Sequence, residues 1–266
     1  MDIQKHTFTC QRNGLRIRGI AMHKTGERLP IAIVCHGFMA NAQTVMQYVR
    51  FFAHHGYAAF TFDFCGGSVV GGKSDGRTVD MSVLTEVEDL RAVVEYAAAQ
   101  SYTDEQSITL MGCSQGGFVC ALTAAQLKTR INKLVLFYPA FCIPDDARRG
   151  KMMLAKFDPS NPPAQVYCGP MKLGKRYITD VITMDPFLEL LPYAGDVLIV
   201  HGTKDNIVAP QYAEAALAAY QSRPTGSVSL FMLQGGRHMF SKKHDSIALL
   251  KLEEFISDQK TETGIS

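Results

Sequence analysis

Residues 107–122 read S-I-T-L-M-G-C-S-Q-G-G-F-V-C-A-L. The apolar run at 108–111 has the length and composition of a buried strand. It ends in Gly112-Cys113-Ser114-Gln115-Gly116-Gly117, and an apolar stretch of helical composition follows. Strand, tight turn and helix with one hydroxyl at the turn is the context a G-x-S-x-G nucleophile needs. The serine of such a turn has a strained backbone, and the residues two places either side must be nearly free of side chain. Gly112 and Gly116 meet that need. Ser114 would then stand above the sheet at a helix N-terminus, where unpaired N–H groups favour negative charge. A glycine-rich turn with a helix-capping serine is the plainer alternative.

The pattern around this stretch is repetitive. Residues 6–12 and 15–22 alternate polar and apolar around Asn13-Gly14, a strong signal for a two-residue hairpin. Buried strands are expected at 30–35 (P-I-A-I-V-C), 57–62, 133–138, 196–200 and 227–233, and helices at 43–54, 82–100, 211–222 and 241–257. Strands alternating with helices imply a mostly parallel sheet covered on both faces. Between 139 and 192 the alternation breaks. That segment holds Asp145-Asp146, a basic cluster at 148–151, Pro162-Pro163 and Gly169-Pro170, with 166–168 and 175–178 as a candidate small hairpin. The core is therefore expected over 1–138 and 193–266, with 139–192 inserted. Residues 259–266 read as a polar, frayed tail.

In a sheet of this kind the chemistry sits just beyond the carboxyl ends of strands. A serine nucleophile needs a base within hydrogen-bond reach and a carboxylate to orient that base. Asp205, in H-G-T-K-D-N-I-V, follows the strand at 196–200, and His238, in Q-G-G-R-H-M-F, follows the strand at 227–233. Ser, then acid, then His is the chain order that goes with a G-x-S-x-G elbow. The other histidines lie away from this pattern; His201 reads as packing and His36 as structural. The backbone N–H groups of Gln115, after the serine, and of Phe38, after His36-Gly37, are the expected oxyanion donors.

These residues carry a resemblance. H-G-F at 36–38, G-C-S-Q-G-G at 112–117, H-G-T-K-D-N-I-V at 201–208 and G-G-R-H-M-F at 235–240 resemble the α/β-hydrolase superfamily over essentially the whole chain. More narrowly, the elbow and S-D-G-R-T-V-D-M-S-V-L-T-E at 74–86 look like the bacterial cinnamoyl and feruloyl esterases. The resemblance implies an eight-stranded sheet, a small lid inserted after the sixth strand, and a Ser114/Asp205/His238 triad. It also implies lid groups that bind phenolic hydroxyls, at positions similar to Asp145 and Tyr177. The sequence departs from that group at Cys113, where histidine is common, and in the glycine-rich loop at 65–73.

A serine ester hydrolase needs no cofactor, and no cysteine–histidine cluster has metal spacing. A net charge of +2 over 266 residues gives no electrostatic case for nucleic acid or an anionic membrane. Seven cysteines cannot all pair, and several sit in apolar runs; with no apolar leader at the start, a reducing, cytoplasmic setting is expected. The expected partner is a small ester substrate, with a homodimer left open. A serine aminopeptidase-like or thioesterase activity is the nearest rival. A non-catalytic, ligand-binding hydrolase fold would require a broken triad, and none is seen.

Overall fold

The computed structural model describes residues 2–257. The tail expected at 259–266 lies outside the described residues. The chain opens with β1 (Ile3–Arg12) and β2 (Leu15–Lys24), paired antiparallel across Asn13-Gly14. Both turn residues have positive φ, 49° and 83°, as a two-residue hairpin of this kind requires. Next come β3 (Leu29–Cys35), α1 (Met46–His54), β4 (Ala58–Phe62), α2 (Val83–Ala98), β5 (Thr103–Cys113), α3 (Gln115–Leu127) and β6 (Lys133–Phe137). After an insertion the alternation resumes with β11 (Asp196–Gly202), α6 (Gln211–Gln221), β12 (Val228–Leu233) and α7 (Lys242–Ser257).

Eight of these strands form one sheet in the order β1-β2-β4-β3-β5-β6-β11-β12. From β4 to β12 every neighbour is parallel; β2 runs against both of its neighbours. This is the mostly parallel α/β-hydrolase sheet that the sequence and its resemblance imply. The apolar runs are buried because helices cover both faces. Val87, Leu90, Phe118 and Ala216, from α2, α3 and α6, pack on one face; Val49, Phe52, Ala248 and Leu252, from α1 and α7, pack on the other. From β3 the chain steps outward to β4 and then back to β5 on the other side. The crevice for a ligand therefore opens at the carboxyl ends of β3 and β5.

The insertion carries α4 (Ile143–Arg148), β7 (Lys151–Met152), β8 (Ala155–Lys156), β9 (Gln165–Cys168), β10 (Met171–Gly174) and α5 (Arg176–Thr179). Its strands form two hairpins of their own and do not join the large sheet. The hairpin expected between 166–168 and 175–178 is corrected in its second arm. Gly169-Pro170 is the whole turn, so Cys168 pairs with Met171, and Lys175 already leads into the helical turn that carries Tyr177.

Candidate active site

Ser114 lies between the end of β5 and the start of α3 with φ 54° and ψ −122°, a strained conformation for a residue with a side chain. Its backbone is held from several sides: its N–H donates to the Phe137 carbonyl, and its own carbonyl accepts from Gly117, Phe118 and Ala140. The flanking glycines are required sterically. A Cβ on Gly112 would lie 2.2 Å from the Gly116 carbonyl oxygen, and one on Gly116 would lie 2.3 Å from that of His36. The β3 loop therefore packs directly against the elbow.

The structure brings Ser114, His238 and Asp205 into one line. His238 Nε2 is 3.0 Å from Ser114 Oγ, and His238 Nδ1 is 2.8 Å from Asp205 Oδ2. The two loops that deliver His238 and Asp205 are laced together. Thr203 N–H donates to Leu233 O, Lys204 N–H to Gly236 O, and Gly235 N–H to Thr203 Oγ1. Gly202 packs so tightly against Gly236 that a Cβ would sit 2.3 Å from its carbonyl oxygen. Asp205 Oδ1 accepts the N–H groups of Ile207 and Val208 at 2.9 and 3.0 Å. Burial works to raise this carboxyl, but hydrogen bonds from His201, His238 and Val208 outweigh it and hold it well below the usual range. The carboxylate is therefore charged at any pH where the imidazole can act as a base. Tyr138 backs the imidazole, ring centroids 4.8 Å apart.

Phe38 and Gln115 both line the cavity at Ser114. Gln115 is the first residue of α3, so its N–H has no partner within the helix. His36 sets the other peptide. Its Nδ1 donates to the Gly37 carbonyl at 2.8 Å, and its Nε2 accepts the Phe64 N–H at 3.2 Å. Burial lowers its pKa, which keeps it in the neutral form that two such bonds need. Gly37 C=O and Phe38 N–H belong to one trans peptide, so fixing the carbonyl on one side aims the N–H to the other.

A cavity of about 490 Å³ opens over Ser114. Its walls are largely apolar, with Phe38, Ile143, Met152 and Val208 among them, and Tyr177 and Asp146 line it too. Tyr177 is buried and its hydroxyl donates to Gln115 Oε1. The structure does not bring Asp145 here, contrary to what the resemblance implies. Its carboxylate is taken up by Arg148 and by the Tyr212 hydroxyl, each at 2.6 Å, and it lines a separate depression beside Phe187. Successive helical residues point about 100° apart, so on α4 the next carboxylate, Asp146, reaches the cavity instead.

Two buried partners of the site go beyond the residues expected from the sequence. Glu86, on α2, is buried and accepts from Gln115 Nε2 at 2.7 Å, so a carboxyl lies behind the elbow. Its sequence signals are its place at the end of the 74–86 stretch that carries the resemblance and an acidic residue on the inward face of an amphipathic helix. His201, read as packing, places Nε2 3.2 Å from Asp205 Oδ2. The H-x-x-x-D spacing was its available signal.

The Serine aminopeptidase S33 family model matches residues 27–186 of this chain. An uncharacterized 31.7 kDa protein of the traX-finO intergenic region of Escherichia coli is 34% identical over 98 residues, which covers 36% of this chain. The chain spans 33% of that relative's length. Among solved structures, Est1E from Butyrivibrio proteoclasticus with ferulic acid bound is 26% identical, with a TM-score of 0.85 over 95% of this chain and 98% of that one. Mouse alpha/beta hydrolase domain-containing protein 10, at 18% identity and TM-score 0.72 over 95% of this chain and 99% of its own, shares the fold. With the family model covering more than half of its length, the chain belongs to the serine aminopeptidase S33 family and is an α/β hydrolase.

Proposed function

We propose that the protein is a serine carboxylic-ester hydrolase that works through an acyl-enzyme on small aryl or acyl esters of the cinnamoyl type. The observation that carries this is the line from Ser114 Oγ through both nitrogens of His238 to Asp205 Oδ2, at 3.0 and 2.8 Å. His238 takes the Ser114 proton as Oγ attacks the ester carbonyl, and the Gln115 and Phe38 N–H groups hold the oxyanion. The alcohol leaves with the proton from His238. Water, activated by the same nitrogen, then releases the acid and frees Ser114. Asp205 keeps the proton of the resting imidazole on Nδ1 and stabilises the imidazolium. No cofactor enters these steps.

The cavity supports an acyl group with an apolar body and a polar end. Tyr177 lines it beside the elbow, and Asp146 takes the place at the polar end that the resemblance gave to Asp145. Residues 139–192 would act as the lid that closes this pocket. The likeness to a structure with ferulic acid bound agrees with an aryl acid here. The family's name raises aminopeptidase activity as the second reading. That chemistry needs an ionised carboxylate for the substrate's ammonium. Asp146 is already paired with Arg149 at 3.9 Å, and the cationic Arg149 and Lys151 line the same cavity, so the site disfavours an ammonium group. Seven free cysteines, six of them buried, support a reducing, cytoplasmic setting.

Initial rates on ethyl ferulate, p-nitrophenyl acetate and an aminoacyl p-nitroanilide test this. Both esters should turn over faster than the amide, and Ser114→Ala should lower kcat on the order of 10⁴- to 10⁶-fold. Amide turnover exceeding ester turnover would move the assignment to the peptidase, and wild-type rates in Ser114→Ala would remove the nucleophile.

A further inference from the structure

His201 is fully buried near the end of β11, and the steps above leave it unused. Its Nε2 lies between two acceptors, 3.0 Å from the Val208 carbonyl and 3.2 Å from Asp205 Oδ2. Its Nδ1 is buried and has no partner among the described residues. Two acceptors at one ring nitrogen and none at the other place the single proton of a neutral imidazole on Nε2. A buried nitrogen without a partner is a net cost, so an apolar side chain would serve better if the position required only packing.

The benefit is at Nε2. The N–H groups of Ile207 and Val208 fix Asp205 Oδ1. They leave Oδ2 free to swing about the line from Cβ to Oδ1. His238 Nδ1 bonds to Oδ2, so the direction of the imidazole depends on where that oxygen rests. His201 approaches the same Oδ2 and also holds the carbonyl of Val208, whose own N–H holds Oδ1. The turn from Asp205 to Val208 is thereby closed into a ring of contacts. We propose that His201 is a positioning residue: its Nε2–H fixes Asp205 Oδ2 and, through it, the ring of His238. This rests on the reading of Ser114, His238 and Asp205 as the reacting groups. The titratable groups that face Asp205 are His201 on β11, His238 on the loop after β12 and, more distantly, the Cys142 thiol ahead of α4.

The test is p-nitrophenyl acetate hydrolysis across pH by wild type, His201→Leu, His201→Gln, His201→Asn and Ser114→Ala, with a melting temperature for each. A glutamine amide nitrogen can occupy the place of Nε2, whereas an asparagine amide nitrogen reaches only that of Nδ1. His201→Leu and His201→Asn should lower kcat about 10- to 100-fold with KM little changed, while His201→Gln recovers most of the rate. The acid limb of kcat/KM should move down by about half a unit in the impaired variants, because the imidazolium loses a firmly held carboxylate. Should His201→Leu fail to fold, the Gln and Asn pair decides alone. Wild-type kcat and acid limb in a folded Leu variant, or equal rates for Gln and Asn, would overturn the inference while a dead Ser114→Ala leaves the triad standing. An active Ser114→Ala would instead overturn the triad, and this inference with it.

Discussion

Asp205 and Glu86 are both buried carboxyls, and each touches the elbow through one intermediary: Asp205 through His238, Glu86 through the side chain of Gln115. They carry opposite protonation. Asp205 receives two backbone N–H groups on one oxygen and the imidazoles of His238 and His201 on the other, and it stays ionised. Glu86 receives the Gln115 amide, and burial, with a smaller contribution from the negative charge of Asp89, pushes it up to about 8. Burial is common to both, so the number of donors decides the charge. The charged acid sits where the proposed mechanism forms an imidazolium. The neutral one sits behind a carboxamide that has only to be held still.

The largest effect comes from breaking the first half of this comparison. Asp205→Asn keeps the shape but offers an amide N–H where His238 needs an acceptor, which favours the wrong tautomer. For an acid in this role the loss in kcat is about 10⁴-fold. Steady-state kinetics on p-nitrophenyl acetate measure it, and a variant within tenfold of wild type would show that Asp205 does not orient the base.

How far the sequence could anticipate this differs between the two carboxyls. Asp205 was legible because a strand-end loop, a G-x-S-x-G elbow and a chain order all point to one position. The sheet was legible for a similar reason: runs such as P-I-A-I-V-C and K-L-V-L-F bury on both faces and leave little choice but a covered parallel sheet. Glu86 carried no such pattern, because its partner Gln115 lies 29 positions away and meets it only when α2 packs on α3. Asp145 was misplaced for a related reason. A family motif names a neighbourhood, but one step along α4 turns the carboxylate from the cavity to Arg148 and Tyr212. The second arm of the insertion's hairpin was missed because an apolar count does not say how short a Gly-Pro turn will be.

The next effect is on stability. Glu86 has a folded pKa of about 8, above its ordinary value of 4.5. As pH rises past 4.5 the unfolded chain releases this proton while the folded chain retains it. Stability therefore falls through that window and levels off above about pH 8. Glu86→Gln removes the ionisation and retains an acceptor for Gln115. It should raise the melting temperature at pH 8 by on the order of 5 °C, and the gain should vanish near pH 4. A gain that does not change with pH would mean that Glu86 is not held neutral. Tyr177→Phe acts on the same chain of contacts by a different route. It strips a buried donor from Gln115 Oε1, so it should cost about 1–3 kcal/mol in denaturant unfolding at every pH. A cost that follows the Glu86 titration would instead couple the two groups through Gln115.

The smallest effect tests the same rule on adjacent residues. For Asp145, hydrogen bonds from Tyr212 and Arg148 outweigh burial and lower the carboxyl; for Asp146, burial outweighs its partners and raises it. Donors again separate two carboxyls on one helix. The carboxyl that has few partners is also the one that lines the cavity, and a ring hydroxyl of the acyl group is a donor it lacks. Asp146→Ala should therefore raise KM for ethyl ferulate about 3- to 10-fold, the worth of one net hydrogen bond. KM for ethyl cinnamate, which has no ring hydroxyl, should stay near its wild-type value. Asp145→Ala should leave the ratio of the two unchanged, since its lost partners are Arg148 and Tyr212 rather than substrate. Equal KM changes for both esters in Asp146→Ala would make Asp146 a wall of the pocket and nothing more. A changed ratio in Asp145→Ala would return the hydroxyl subsite to the position that the resemblance first gave it.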